Sequence, residues 1–308
     1  MDMLTVIIPS YNEELMLPKA AASIHRVLSE SAIEHELIFV DDGSRDGTWD
    51  AILQARTEIS TVRGIRFSRN FGKEAAIFAG LEKSQGDCCV VIDCDLQHPP
   101  EAILEMYRLW QQGYEVVEGV KVSRGRESRS HAFSAKAFYT VIGRVVKLNM
   151  ENASDFKLLD RKVVDALRSF PENQAFFRAL SSWVGYKKTT VSFDVREREA
   201  GTSKWSTCAL IRYALTNITT FSAAPMQIVT VLGLVFFIFS AIVGIQSLVN
   251  YLLGNAVEGF TTVIFLQLII GSVIMFSLGI MGYYMQRMYD ELKRRPRYLV
   301  TETLDNDR

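Results

Sequence analysis

The chain has 308 residues, 48% of them hydrophobic, and a formal net charge of −1 at pH 7. That length suits one large or two medium domains with a sizeable core, and a charge so near zero excludes the basic excess of a nucleic-acid binder. Four cysteines, Cys88, Cys89, Cys94 and Cys208, show no CxxC or His/Cys spacing, which argues against a zinc motif or a disulfide framework and leaves ordinary cytosolic thiols.

The opening MDMLTVIIPSYN has neither the basic start nor the long apolar core of a signal peptide, so the N-terminal part is expected to stay in the cytoplasm. Apolar, β-rich runs then recur at nearly even intervals: LTVIIPSYN (4–12), HELIFVDDGS (35–44), VRGIRFSRN (62–70), CCVVIDCDLQ (88–97) and YEVVEGVKV (114–122). Helix-like stretches of about 14 to 20 residues separate most of them, which predicts βαβ units and an α/β fold with a mostly parallel sheet covered on both faces. Ser44 is a predicted N-cap before RDGTWDAIL. Pro99 and Pro100 suit the first turn of a helix running through EAILEMYRLWQQG.

Beyond a soluble-looking part over 1–205, STCALIRYALTNITTFSAAP (206–225) spaces its apolar residues as an amphipathic helix lying at a membrane interface. Two uncharged runs follow, 226–253 and 260–286, each longer than the roughly 20 residues that cross a bilayer, so a two-helix transmembrane hairpin is predicted. The loop between them lacks Lys and Arg, whereas the tail 287–308 carries Lys293, Arg294, Arg295 and Arg297. The positive-inside rule then puts the tail and the N-terminal domain in the cytoplasm, giving a multi-pass protein of the inner or plasma membrane.

Three predicted strands end in polar clusters: Tyr11-Asn12-Glu13, Asp41-Asp42-Gly43-Ser44 and Asp93-Cys94-Asp95. Each alone reads as turn and capping chemistry. Together at the carboxyl ends of parallel strands they form one rim, where such sheets bind ligands. No GxGxxG or GxxxxGK[ST] loop is present. A rim rich in carboxylates needs a cation to hold a diphosphate, and Asp93 and Asp95 can share one Mg2+ or Mn2+ that in turn takes phosphate oxygens.

The segments VIIPSYNEE, FVDDGSRDGT, SRNFGKEAAIFAGL, VVIDCDLQHPPE, NASDFKLLDR and REREAGTSKWS, in this order, resemble family 2 glycosyltransferases of the GT-A fold, a Rossmann-like architecture. Within that family they are most similar to the polyprenyl-phosphate group, which includes dolichol-phosphate mannose synthase and the bactoprenol glucosyltransferases. The resemblance implies that Pro9, Tyr11 and Glu13 line a nucleotide pocket, with Asp42 accepting from the base, Asp41 beside it and Asp93 close by. It implies Asp93 and Asp95 as the metal-binding DxD, Asp95 the more direct ligand, with Gln97 orienting metal and phosphates. Asp155 falls where the family has its proposed catalytic base. Arg196, Arg198 and Lys204 would meet phosphate groups. Lys121 stands where the family usually carries Arg, and with Arg126 and Arg129 it would hold the acceptor phosphate.

The reaction so implied is inverting transfer of a sugar from a nucleotide sugar, UDP-glucose favoured, to polyprenyl phosphate such as undecaprenyl phosphate. UDP-N-acetylglucosamine, UDP-galactose, a UDP-modified arabinose and GDP-mannose stay open as donors, as does a non-catalytic membrane scaffold. A homotetramer is implied by the resemblance alone. A processive polysaccharide synthase would need a QxxRW motif, and QAFFRALSSW (174–183) has the letters without the spacing.

Overall fold

The computed structural model describes residues 2–121, 154–171, 176–194, 224–253 and 259–305. The chain forms two compact units, Met1–Ser206 together with Pro296–Arg308, and Thr207–Arg295. The first holds an eight-stranded sheet of β1 (Leu4–Ser10), β2 (His35–Asp41), β3 (Val62–Phe67), β4 (Cys88–Val91), β5 (Val116–Lys121), β6 (Lys157–Asp160), β7 (Lys188–Phe193) and β8 (Val300–Leu304). The spatial order is β7-β5-β6-β4-β1-β2-β3-β8. Strands β3, β2, β1 and β4 are mutually parallel, as the βαβ rhythm predicts. β6 enters antiparallel between β4 and β5, and β8 closes the far edge antiparallel to β3.

Side-chain alternation sends Val6, Ile8, Leu37 and Phe39 to one face, against α1 (Leu17–Glu30), α2 (Thr48–Glu58) and α4 (Ala102–Gln111). Ile38, Val40, Ile65 and Phe67 face the other way, against Ala76 and Ala79 of α3 (Lys73–Lys83). Gly80 lets α3 lie close on β1, since a Cβ there would stand 2.3 Å from Ile7 Cγ2. Two short helices, α5 (Arg161–Arg168) and α6 (Phe177–Trp183), complete the described part of this unit.

The strands stop short of the full runs: β2 ends at Asp41 and β4 at Val91, leaving Asp42-Gly43-Ser44 and Asp93-Cys94-Asp95 in the turns beyond. Ser44 is not the N-cap of α2, which starts four residues later. Its hydroxyl instead accepts the Asn12 N–H at 2.9 Å, and Asp46 Oδ1 accepts from the Thr48 N–H and hydroxyl at 3.2 and 2.6 Å. Pro99 and Pro100 lie just ahead of α4, and their carbonyls accept the Ala102 and Ile103 N–H groups.

The basic tail contains an unexpected strand. β8 pairs Glu302 with Arg66 and Thr303 with Ile65, covering the edge of β3. The Tyr298 ring stacks on Phe67 at 4.7 Å between centroids, and its hydroxyl bonds to Glu82. Arg297 lies over Phe78 and donates to the Phe170 carbonyl at 2.6 Å. Glu302 accepts from Trp49 Nε1 and Arg66, and Asp305 pairs with buried Arg63 at 2.8 Å.

The second unit carries two long helices, α7 (Ala224–Leu252) and α8 (Phe260–Leu292). Within α8, Ile269–Leu292 has a mean hydropathy of 1.4 and enough length to cross a membrane. In α7 the described apolar stretch is Val229–Val243, within a helix of 29 residues that carries no charged side chain. The predicted interfacial helix at 206–225 lies, but for its last two residues, outside the described residues.

Tyr298→Ala is expected to destabilise the sheet-bearing unit by about 2 kcal/mol, through lost stacking on Phe67 and a loosened β3 edge. Tyr298→Phe, which keeps the ring, is expected to cost less. Thermal unfolding of the full chain, followed by circular dichroism, distinguishes the two. Equal melting temperatures for both variants would show that the stack does not hold the edge.

Candidate active site

The register places the strand tips side by side. Ser10 pairs with Asp41 and Ile7 with Val91, so the loops after β1, β2 and β4 open on one rim. The first two loops are zipped together: Asn12 Oδ1 accepts the Arg45 N–H at 3.0 Å, and the Glu13 N–H donates to Thr48 Oγ1 at 2.9 Å. Pro9 and Glu13 are half-buried and Tyr11 is exposed at this rim.

Asp41 and Asp42 are both buried. Asp41 Oδ1 accepts the Ser44 N–H at 2.8 Å, and Arg66 Nε lies 3.5 Å from Oδ2. The Asp42 carboxylate takes the N–H groups of Phe71 and Gly72 at 2.6 and 2.9 Å. Burial pushes its carboxyl up to about 6, against the opposing pull of those two N–H groups. Asp41 thus braces its own turn, and Asp42 ties that turn to the loop ahead of α3. Gly43, at φ +66°, is required between this loop and Arg69, because a Cβ would stand 2.4 Å from the Arg69 carbonyl carbon.

At the tip of β4, Cys94 turns into the core while Asp93 and Asp95 flank it. Asp95 Oδ1 accepts the Gln97 N–H at 3.1 Å, and Leu96 adopts φ 55° to make that turn. Because β6 runs opposite to β4, with Lys157 beside Val91, the residues just before β6 arrive at this same rim. Asp155 is delivered there, and Lys73 Nζ bridges it to the DxD, 2.8 Å from Asp155 Oδ2 and 2.6 Å from Asp93 Oδ1. Arg178 grips the other side of Asp155, Nε to Oδ1 at 2.6 Å and Nη2 to Oδ2 at 2.7 Å. Burial alone would raise the Asp155 carboxyl, but Lys73 and Arg178 overcome it and hold the group well below the usual carboxylate range.

A second layer fixes those partners. Lys157, wholly buried, donates to Ser181 Oγ at 2.9 Å and to the Arg178 carbonyl at 3.3 Å, and pairs with Glu118 at 3.2 Å. Glu118 also accepts the Ser154 N–H at 3.1 Å. One buried ion pair thereby sets the backbone on both sides of the Asp155–Arg178 contact. Glu74 Oε2 accepts the Phe177 N–H at 2.8 Å, joining α3 to α6. Burial first, and the nearby Asp155 charge second, push its carboxyl up to about 7.

Of the predicted site residues, the structure gathers Asp93, Asp95 and Asp155 on one rim with Tyr11, Glu13 and Gln97 in the adjoining loops. Lys121 is exposed at the end of β5, opposite Phe193. Arg126, Arg129, Arg196, Arg198 and Lys204 lie outside the described residues. Lys73, Glu74 and Arg178 were not singled out from the sequence. Lys73 and Glu74 sit inside the quoted SRNFGKEAAIFAGL, and Arg178 inside QAFFRALSSW, which was tested only against another motif.

Among the described residues no group of three or more His, Cys, Asp or Glu side chains could hold a metal. Two carboxylates at one strand tip nevertheless fit Mg2+ or Mn2+, ions that take one or two protein carboxylates and complete their shell with water and substrate phosphate. They do not fit zinc, which takes three or four protein ligands of the His and Cys type.

Glu74 gives a pH test. Its ordinary value of 4.5 rises to about 7 in the folded chain, so folding favours the protonated form. That stabilisation is complete below the unfolded value and lost as pH rises through about 7. Glu74→Gln keeps an acceptor for Phe177 but cannot ionise. Its melting temperature is expected to fall less than the wild type's between pH 5 and pH 8. Parallel pH slopes for the two proteins would exclude this titration.

Residues 5–168 match the profile of Glycosyl transferase family 2. The chain is 39% identical over 301 residues to an uncharacterized glycosyltransferase of Synechocystis sp., covering 97% of this chain and 95% of that one. It is 34% identical to a prophage bactoprenol glucosyl transferase homolog of Escherichia coli, over 96% of this chain and 98% of that one. The bactoprenol glucosyl transferase of Shigella phage SfII is 33% identical, over 97% and 98%. Among solved structures, glucosyl-3-phosphoglycerate synthase from Mycobacterium tuberculosis, in complex with Mn2+, uridine diphosphate and phosphoglyceric acid, superposes with a TM-score of 0.55 at 19% identity, over 71% of this chain and 78% of that one. That likeness establishes the GT-A fold. With its strand-tip carboxylates, its mixed sheet and these relatives, the chain is a glycosyltransferase and belongs to Glycosyl transferase family 2.

Proposed function

We propose that this protein transfers glucose from UDP-glucose to a polyprenyl phosphate at the cytoplasmic face of the membrane, with inversion at the anomeric carbon. The observation that carries the reading is the meeting of Asp93 and Asp95 with Asp155 across Lys73, which sets a diphosphate-side carboxylate pair beside a second, separately anchored charged cluster. The near full-length relatives named as bactoprenol glucosyl transferases support the lipid acceptor and the glucosyl group. The fold relative solved with Mn2+ and uridine diphosphate supports a divalent ion and a uridine nucleotide.

Asp93 and Asp95 would hold Mg2+ or Mn2+, which when bound supplies Lewis-acid neutralisation of the departing diphosphate. The rest of the chemistry falls to the chain. Tyr11 and Glu13 lie where the nucleotide would enter. The acceptor oxygen attacks the anomeric carbon, the bond from that carbon to the diphosphate oxygen breaks, and uridine diphosphate leaves with the electron pair. A phosphate monoester has a second pKa of about 6 and is mostly dianionic at neutral pH, so no strong base is needed. Asp155, ionised and with both oxygens bonded, orients the groups around it rather than removing a proton.

The membrane unit brings the enzyme to a lipid that cannot leave the bilayer. In this reading α8, through Ile269–Leu292, is one span and the uncharged α7 the second, and Lys293, Arg294 and Arg295 keep the chain that follows on the cytoplasmic side. Assembly as a homotetramer belongs to the same reading.

The full-length protein, incubated with undecaprenyl phosphate and radiolabelled UDP-glucose, UDP-N-acetylglucosamine, UDP-galactose, UDP-arabinose derivatives or GDP-mannose, is expected to carry label into butanol-extractable lipid from UDP-glucose. EDTA should stop transfer and added Mg2+ or Mn2+ restore it. Transfer from another donor would replace the sugar assignment, and no transfer to lipid would sink the acceptor.

Asp155→Asn is expected to lower turnover by about a hundredfold without abolishing it, and to keep the acidic limb near pH 6 that the acceptor's own ionisation creates. Complete inactivity, with nucleotide binding intact, would make Asp155 an obligatory base.

A further inference from the structure

Two cations stand on Asp155, and the reaction just described leaves them without a substrate. The three groups are ordered by depth. The Asp155 side chain is 7% exposed, whereas that of Arg178 is 25% and that of Lys73 39% exposed. The negative charge is therefore at the bottom and the positive charges face outward. Neither cation is a floppy surface side chain. Lys73 opens α3 and is held by two carboxylates. Arg178 is in the first turn of α6, fixed by Asp155, while Lys157 holds its carbonyl and Glu74 holds the N–H of Phe177 beside it.

We infer that Lys73 and Arg178 form the seat for the acceptor's phosphate monoester, with Asp155 as the anchor that keeps the two cations apart and in place. This rests on the polyprenyl phosphate reading above. A planar guanidinium and a compact ammonium, presented together, complement a phosphate dianion by charge-assisted hydrogen bonds. Pre-fixed by Asp155, they spend little rotamer entropy on binding. The position suits the reaction, since Lys73 touches Asp93 and so stands at the border between diphosphate and acceptor.

The seat also gives the reaction a direction. Transfer converts the monoester dianion into a diester with a single negative charge. The same cations hold that product less strongly than the acceptor, which favours its release.

The test uses the full-length protein in detergent with Lys73→Met, Lys73→Arg and Arg178→Met, and measures two things. Binding of uridine diphosphate with Mn2+ is read by calorimetry, and the KM for a short-chain polyprenyl phosphate by transfer. Both Met variants are expected to raise the acceptor KM about tenfold or more, the scale of one lost charge-assisted hydrogen bond, and Arg178→Met, which leaves the Lys73–Asp93 pair in place, to keep diphosphate affinity within about twofold of wild type. Lys73→Arg should recover most of the loss. An unchanged acceptor KM, or a fall in diphosphate affinity of Arg178→Met that matches its loss of activity, would overturn the assignment and move the pair to the donor side. If Lys73→Met fails to fold, Lys73→Gln removes the charge and keeps a donor. Should the wild type transfer no sugar to lipid, the reading of the function fails separately. Inorganic phosphate, titrated by calorimetry into wild type and variants, then still decides: weaker binding in the variants supports the seat, and equal binding or none refutes it.

Discussion

The contact on which the site depends is the grip of Lys73 and Arg178 on Asp155. It joins the start of α3, the entry to β6 and the first turn of α6, segments far apart in sequence. A carboxylate that deep pays a large desolvation cost, and the cost is met only because both of its oxygens are bonded to cations. Removing either partner would leave the buried carboxylate a single cation. The geometry of the rim is therefore stiff, as a site that must hold two anionic substrates in line requires.

The contact in turn depends on topology. In an all-parallel sheet only strand ends reach the ligand rim. Inserting β6 antiparallel brings a strand beginning there, and with it Asp155 beside the tip of β4. The neighbouring strand β5 contributes Glu118 at the position facing Lys157, so the buried pair below the site is a cross-strand pair. Sheet register and site electrostatics are one arrangement seen at two depths.

Much of this was legible in the sequence because it is local. Alternating apolar runs ending in Asp-Asp-Gly-Ser and Asp-Cys-Asp mark strands and their tips without knowledge of what they touch. Asp155 was found through motif resemblance. Lys73 and Arg178 were not, because a lysine at a helix start and an arginine in an apolar helix look ordinary until the fold shows their shared partner. Ser44 was misread for a related reason: a hydroxyl ahead of a helix predicts a cap, but here the neighbouring β1 loop offers it a backbone N–H instead. β8 escaped notice since its five residues follow a long apolar helix and a cluster of arginines, whose signal is that of a membrane flank. The edge it needs, β3, is more than two hundred residues away.

That separation bears on how the protein is made. β3 is synthesised early, whereas β8 follows both long helices, so the sheet keeps an open edge while α7 and α8 are being produced. An unpaired edge strand is a template for a neighbouring chain. Arg63 and Arg66, which later find Asp305 and Glu302 across that edge, place charged side chains on it, and charge on an edge strand disfavours pairing with another chain. The same arginines that lock the finished sheet thus act beforehand as gatekeepers against aggregation during biosynthesis.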